Sequence, residues 1–242
     1  IQSELFWEDI DANLQQFDTK IDSIKEQIDL IILPETFSTG FSMNQSIAES
    51  MNGKAVTWIS LKAQEKNCCI LGSVLIKEGE AFYNRMIVAK QDGEILTYDK
   101  RHLFTFGEED KYFSAGKERL VFELNGWKIC PLICYDLRFP VWSRNNEEID
   151  LYIYVANWPA VRSTAWDILL QARAVENVSY VAGINRIGYD ETNKYYGGNS
   201  ALIDFKGDTI YKFPLNKNHI DSRKTPLEQL KHYQYQILLF YA

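Results

Sequence analysis

Apolar residues recur along this chain with two periods, about 3.6 residues in some segments and two in others, so helices and strands interleave. Residues 11–27 are mostly polar, with Leu14, Phe17, Ile21, Ile24 and Ile28 at helical spacing, which predicts an amphipathic helix. The short apolar run 29–33, stopped by Pro34, reads as a buried strand with Glu35 just past its end. Residues 54–66 read as a second helix, 69–76 and 82–89 as strands, and 91–94 as a hairpin turn leading into a strand over 95–98. Strands over 120–124 and 128–133 flank the turn Asn125-Gly126, and the second runs directly into Cys134. A strand over 151–156, a helix over 164–177, strands over 180–185, 200–205 and 209–213, and a helix over 227–236 complete the reading. Hairpins among the crossovers predict an α/β layered fold with a mixed sheet rather than a purely parallel one.

No repeat, low-complexity stretch or Pro/Gly/Ser-rich linker divides the 242 residues, so one domain over 1–242 is expected. With 46% hydrophobic residues, 14% of the chain aromatic and 24% charged, the composition is that of a folded soluble domain and argues against disorder. A net charge of −7 and the lack of any Lys/Arg-rich run argue against nucleic acid as a partner. No apolar run reaches the ~18 residues of a membrane span, and residues 1–10 carry no leader pattern. The four cysteines (Cys68, Cys69, Cys130, Cys134) include no C-x-x-C pair, and His102, His219 and His232 are not at ligand spacing, so no metal site is expected. Reduced thiols and a cytoplasmic setting fit this usage. Cys68 and Cys69, being adjacent, are expected on opposite faces of a strand.

Three chemically useful residues share one structural address. Glu35, Lys100 and Cys134 each follow a predicted strand, and strand ends are where α/β folds assemble their sites. Together they make sense as a nucleophilic set. An ammonium favours the thiolate, a carboxylate takes the thiol proton, and the ammonium with the backbone N–H of Tyr135 holds a developing oxyanion. Taken singly, each has a plainer reading: a small buried core cysteine, a helix-capping or solvated glutamate, a surface lysine.

The segments Leu33-Pro34-Glu35-Thr36-Phe37, Tyr98-Asp99-Lys100-Arg101-His102-Leu103-Phe104 and Ile133-Cys134-Tyr135-Asp136-Leu137-Arg138-Phe139-Pro140 together resemble the three catalytic segments of the nitrilase superfamily, the carbon–nitrogen hydrolases. Glu35, Lys100 and Cys134 fall on that family's Glu-Lys-Cys triad. The likeness runs to about Phe213. It implies a four-layer α-β-β-α sandwich, a homodimer, an acyl-thioester intermediate and no cofactor. Glu35-Thr36-Phe37 leading to Gly40-Phe41-Ser42-Met43, the run 139–145, Val155-Ala156-Asn157-Trp158-Pro159-Ala160 and Ala172-Arg173-Ala174-Val175-Glu176-Asn177 narrow the resemblance to the omega-amidase branch. Enzymes of that branch hydrolyse the terminal amide of small dicarboxylic acid monoamides such as 2-oxoglutaramate. The alternatives are an N-carbamoyl-amide hydrolase, a deaminated-glutathione amidase, a nitrilase, or a non-catalytic scaffold of the same fold.

The family often uses a second glutamate before an aromatic–x–x–Gly turn. Counting back from Gly116 gives Glu109, with Glu108 the alternative register. Arg138 is a candidate to pair with a substrate carboxylate, or else forms a salt bridge with Glu176. Asn157, Trp158 and, more weakly, Phe41 and Tyr135 are candidates to line the pocket, Trp158 reading equally as a core residue. The helix over 164–177 either forms the dimer face or packs on the chain's own sheet. Departures from the branch pattern are the short N-terminal strand at 1–3, the segment 213–220 and the ending 238–242.

Overall fold

The computed structural model describes residues 1–240; Tyr241 and Ala242, the last two positions of the divergent ending, lie outside the described residues. Two mixed sheets stack face to face between helices, giving the four-layer α-β-β-α sandwich expected. The first sheet has the order β1 (Leu30–Ile32), β2 (Cys69–Glu78), β3 (Ala81–Ala89), β4 (Ile95–Asp99), with β1 and β2 parallel and the other pairs antiparallel. The second contains β5 (Phe122–Leu124), β6 (Trp127–Ile133), β7 (Leu151–Ala156), β8 (Tyr180–Asn185), β11 (Ala201–Ile203) and β12 (Thr209–Lys212). Its strands β6, β7 and β8 are parallel and its flanking pairs antiparallel. The small hairpin of β9 (Ile187–Tyr189) and β10 (Tyr195–Gly197) stands apart from both sheets.

Alternation along each strand divides the core. Ile70, Val74, Ile76, Ile87 and Ala89 pack outward under α1 (Ile10–Asp22) and α2 (Lys54–Lys66), whereas Cys69, Leu71, Met86 and Val88 belong to the second, larger cluster. Cys68, just before β2, joins the helix-side cluster and Cys69, its first residue, the other, so the two thiols face opposite ways as expected. Over the second sheet lies α4 (Ser163–Asn177), which seats Trp166 and Leu170 against the bare backbone of Gly183; a Cβ there would meet Leu170 at 2.5 Å. The short α3 spans Glu109–Tyr112, and α5 (Leu227–Phe240) contributes Leu230 to a cluster with Tyr180 and Phe205.

Several elements are shorter than their patterns, among them the strands expected over 120–124 and 200–205, which span Phe122–Leu124 and Ala201–Ile203. The first helix stops at Asp22 rather than continuing to residue 27. Ser23 turns its hydroxyl back to the Lys20 carbonyl at 2.6 Å, a local bond that competes with helix continuation. Ile24 and Ile28 still pack against the core, but from irregular chain.

Candidate active site

Strand direction gathers the three strand-end residues. β1 and β4 both run parallel to β2, so Glu35 and Lys100 emerge at the same edge of the first sheet. Cys134 and Asn157 emerge from the parallel strands β6 and β7 of the second. The two edges meet, and a buried charge cluster forms where they do. Lys100 Nζ lies 2.8 Å from Glu35 Oε1 and 2.9 Å from Glu109 Oε2, with all three side chains fully buried. Glu109, not Glu108, makes this contact; Glu108 is exposed and pairs with Lys111. Glu109 is held from a second direction by the Phe104 N–H, which donates to Oε2 at 2.6 Å. Gly116 closes the loop that carries it. Its N–H donates to the Lys100 carbonyl at 2.9 Å, and a Cβ would come within 2.1 Å of the Asp99 carbonyl, so only glycine fits.

Glu35 is similarly over-determined. The Asn157 N–H donates to Oε2 at 2.7 Å, and Asn84 Nδ2 donates to Oε1 at 2.8 Å. Asn84 also reaches Glu109 Oε1 at 3.3 Å, so one amide bridges both carboxylates through the same two oxygens that Lys100 Nζ bonds. Sequence reasoning passed over Asn84. Its signal was an amide on the face of β3 that also carries Met86 and Val88, where alternation points it inward. Asn157 was expected at the pocket. It also ties the two sheets together, because its side chain donates to the Glu35 carbonyl at 2.9 Å.

Cys134 begins a single 3-10 turn, Cys134–Arg138, with φ +45°, a left-handed backbone that costs a non-glycine residue about 1–2 kcal/mol. The turn's first N–H groups, that of Tyr135 among them, have no acceptor within the turn. Asp136, another residue the sequence did not flag, locks this geometry. Buried, it accepts from the Ile133 N–H (3.0 Å), the His102 N–H (2.9 Å) and the Tyr98 hydroxyl (2.7 Å), joining the Cys134 turn to the segment that carries Lys100. From α4, Arg173 donates to the Leu137 carbonyl at 2.7 Å.

Burial pushes the Cys134 thiol well above its ordinary value, and the negative charge of Glu35 adds to the rise. Lys100 favours the thiolate, as expected, but is outweighed. Burial alone would lower Lys100, yet Glu109 and Glu35 hold it above its usual range. Burial likewise raises the Glu109 carboxyl, against the pull of Lys100 and with the push of Glu35.

A cleft of about 300 Å³ opens over Cys134. Phe41 lies in its wall with Lys100 Nζ 5.0 Å from the ring centre. Trp158 is both pocket wall and core: it is 4% exposed and packs on Trp166 at 5.4 Å. Tyr135 contacts Phe104 edge-on, and both line the cleft. Arg138 is exposed to the cleft with its guanidinium over the Trp158 ring at 5.1 Å. It forms no salt bridge with Glu176, whose carboxylate pairs with Arg173 at 2.8 Å. The remaining wall includes Asp190, Thr192 and Lys194 from the β9–β10 hairpin, which the apolar pattern did not reveal.

Comparison with known proteins identifies the family. The model of the family described as carbon–nitrogen hydrolase matches residues 1–234. An omega-amidase, YafV, of Escherichia coli K12 is 45% identical over 87% of this chain and 82% of its own length. A 2-oxoglutaramate amidase of Bacillus subtilis is 35% identical over 79% of this chain and 76% of its own. The crystal structure of XC1258 from Xanthomonas campestris, a CN-hydrolase superfamily protein with an arsenic adduct in its active site, superposes with a TM-score of 0.94 at 39% identity, covering 98% of this chain and 92% of that one. With a family match over nearly its whole length and relatives this similar, the chain belongs to the carbon–nitrogen hydrolase family.

Proposed function

We propose that this single-domain protein is an omega-amidase, hydrolysing the terminal amide of small dicarboxylic acid monoamides, 2-oxoglutaramate among them, to the acid and ammonia. The observation that carries the reading is the buried Glu35–Lys100–Glu109 cluster beside Cys134, facing a cleft whose wall presents the unpaired guanidinium of Arg138. The relatives named omega-amidase and 2-oxoglutaramate amidase supply the substrate class.

In this mechanism Cys134 attacks the amide carbonyl as Glu35 takes the thiol proton. A protonated resting thiol needs such a base at the moment of attack. Lys100 and the Tyr135 N–H stabilise the tetrahedral oxyanion. Glu35 gives its proton to the leaving nitrogen, the C–N bond breaks, and ammonia departs from an acyl-thioester on Cys134. Water then attacks the thioester with Glu35 as base, and the acid leaves as the thiol is reprotonated. Glu109 acts through Lys100, keeping it charged and aimed. Arg138 binds the substrate carboxylate, with Asn157, Trp158 and Phe41 shaping the cleft.

The enzyme works as a homodimer in the cytoplasm. Ile168 and Val175, seven positions apart on the outer face of α4, are 59% and 53% exposed, an apolar strip of the kind a second copy covers. No helix of the described residues is long and apolar enough to cross a membrane.

Ammonia release from 2-oxoglutaramate, nitriles and N-carbamoyl compounds tests the substrate class; the dicarboxylic monoamide is expected to be preferred. Cys134→Ala should lower turnover by about 10⁴-fold or more, and mass spectrometry of quenched enzyme should find the acyl adduct on Cys134. Unchanged ammonia release from that variant, with no adduct, would sink the mechanism.

A further inference from the structure

We propose that Arg162 is a second carboxylate-recognising residue of the cleft, sharing the anionic end of the substrate with Arg138 and setting selectivity against uncharged amides. The proposal rests on the amidase reading above for its substrate, but its geometry stands independently.

Arg162 follows Pro159 in the turn that leads into α4, and its side chain lines the same cleft as Cys134. Its backbone is fixed by the pocket wall itself, because Trp158 Nε1 donates to the Arg162 carbonyl at 2.8 Å. That same indole carries the guanidinium of Arg138 on its face. The Arg162 guanidinium rests over the Phe104 ring at 5.1 Å, and Phe104 is the residue whose N–H holds Glu109. Two cations thus sit over two rings of one cleft, each 5.1 Å from its ring centre.

Neither guanidinium has an ion-pair or hydrogen-bond partner among the described residues, although most other arginines of this protein do; Arg85, Arg119, Arg173 and Arg223 all pair with carboxylates. The other charges of the wall neutralise each other, since Asp190 faces Lys194 at 3.8 Å. A guanidinium stacked on a ring keeps its edge donors free for a planar anion. A carboxylate with an adjacent oxo group offers a planar row of acceptor oxygens, more than one fork can satisfy. Two stacked forks around one anion match a 2-oxo acid end better than a simple chain or an uncharged one.

The test compares Arg162→Met and Arg162→Lys with wild type on 2-oxoglutaramate and on an uncharged amide of similar length. The ratio of kcat/KM for the charged over the uncharged substrate is expected to fall about tenfold in Arg162→Met, with KM carrying the loss, as removal of one charge-assisted bond predicts. Arg162→Lys should fall between, because it keeps the charge and loses the fork. A second readout needs no substrate: the rate of Cys134 alkylation by iodoacetate relative to iodoacetamide should fall in the same order. Loss of activity on both amides in equal proportion, or an unaltered alkylation ratio in a folded variant, overturns the proposal. If wild type hydrolyses neither amide, the functional reading fails, and the alkylation ratio alone still decides the role of Arg162.

Discussion

The floor and the walls of the cleft handle charge in opposite ways. On the floor every charged group is dry and held by several partners: Lys100 by two carboxylates, Glu35 by Lys100, Asn84 and Asn157, and Glu109 by Lys100, Asn84 and a backbone N–H. On the walls, Arg138 and Arg162 lie on aromatic faces with their donors open. The difference follows from what each must do. A proton carrier has to be aimed before the substrate arrives, so its environment is complete without it. A recognition group has to leave its best bonds unmade until then.

Substitutions can break that comparison. Lys100→Met should have the largest effect on stability, about 3–5 kcal/mol in denaturant unfolding, because it strands two buried carboxylates. Adding Glu109→Gln should recover part of the loss; no recovery would mean that the cluster is not held by its charge balance. Asn84→Ala removes the amide that bridges both carboxylates and should cost about 1–3 kcal/mol with a fall in kcat. An unaffected kcat would confine Asn84 to the scaffold.

The thiols sharpen the same contrast through pH. Burial raises Cys134 and Cys130 above their ordinary 9.0. The folded chain therefore keeps protons that the unfolded chain releases, and this contribution is present below pH 9.0 and lost above it. Unfolding free energy should drop by about 1.4 kcal/mol per pH unit per thiol on the alkaline side. Cys130→Ala should flatten the slope, and a slope identical to wild type would contradict it. The smallest stability effect belongs to the wall: Arg138→Met should change unfolding by no more than about 0.5 kcal/mol, while raising KM for the charged amide about tenfold. A large loss of stability instead would make Arg138 part of the floor.

Glu35, Lys100 and Cys134 were legible because each lies just past a short predicted strand, ending at Leu33, Tyr98 and Ile133, and sits in a segment with a family likeness. Asn84 and Asp136 were not. Each works by bonding residues distant in sequence, Asn84 to Glu35 and Glu109, Asp136 to Tyr98 and His102, and nothing local marks such a partner. The β9–β10 hairpin escaped for a different reason. Its turn is organised by the Asp190 side chain, which accepts from the Thr192 and Lys194 N–H groups at 2.9 and 3.0 Å, rather than by glycine or an apolar alternation. The depth of burial was not legible either: the sequence showed an ammonium near a thiol but not that desolvation would outweigh it.

The left-handed backbone at Cys134 has a consequence for how this site tolerates change. Glycine would adopt the same turn without steric penalty, and the sulfur sits where the larger core cluster meets the cleft. Position 134 is thus a place where the architecture and the chemistry pull apart. In the proposed mechanism, the replacement that relaxes the backbone there is also the one that removes the nucleophile.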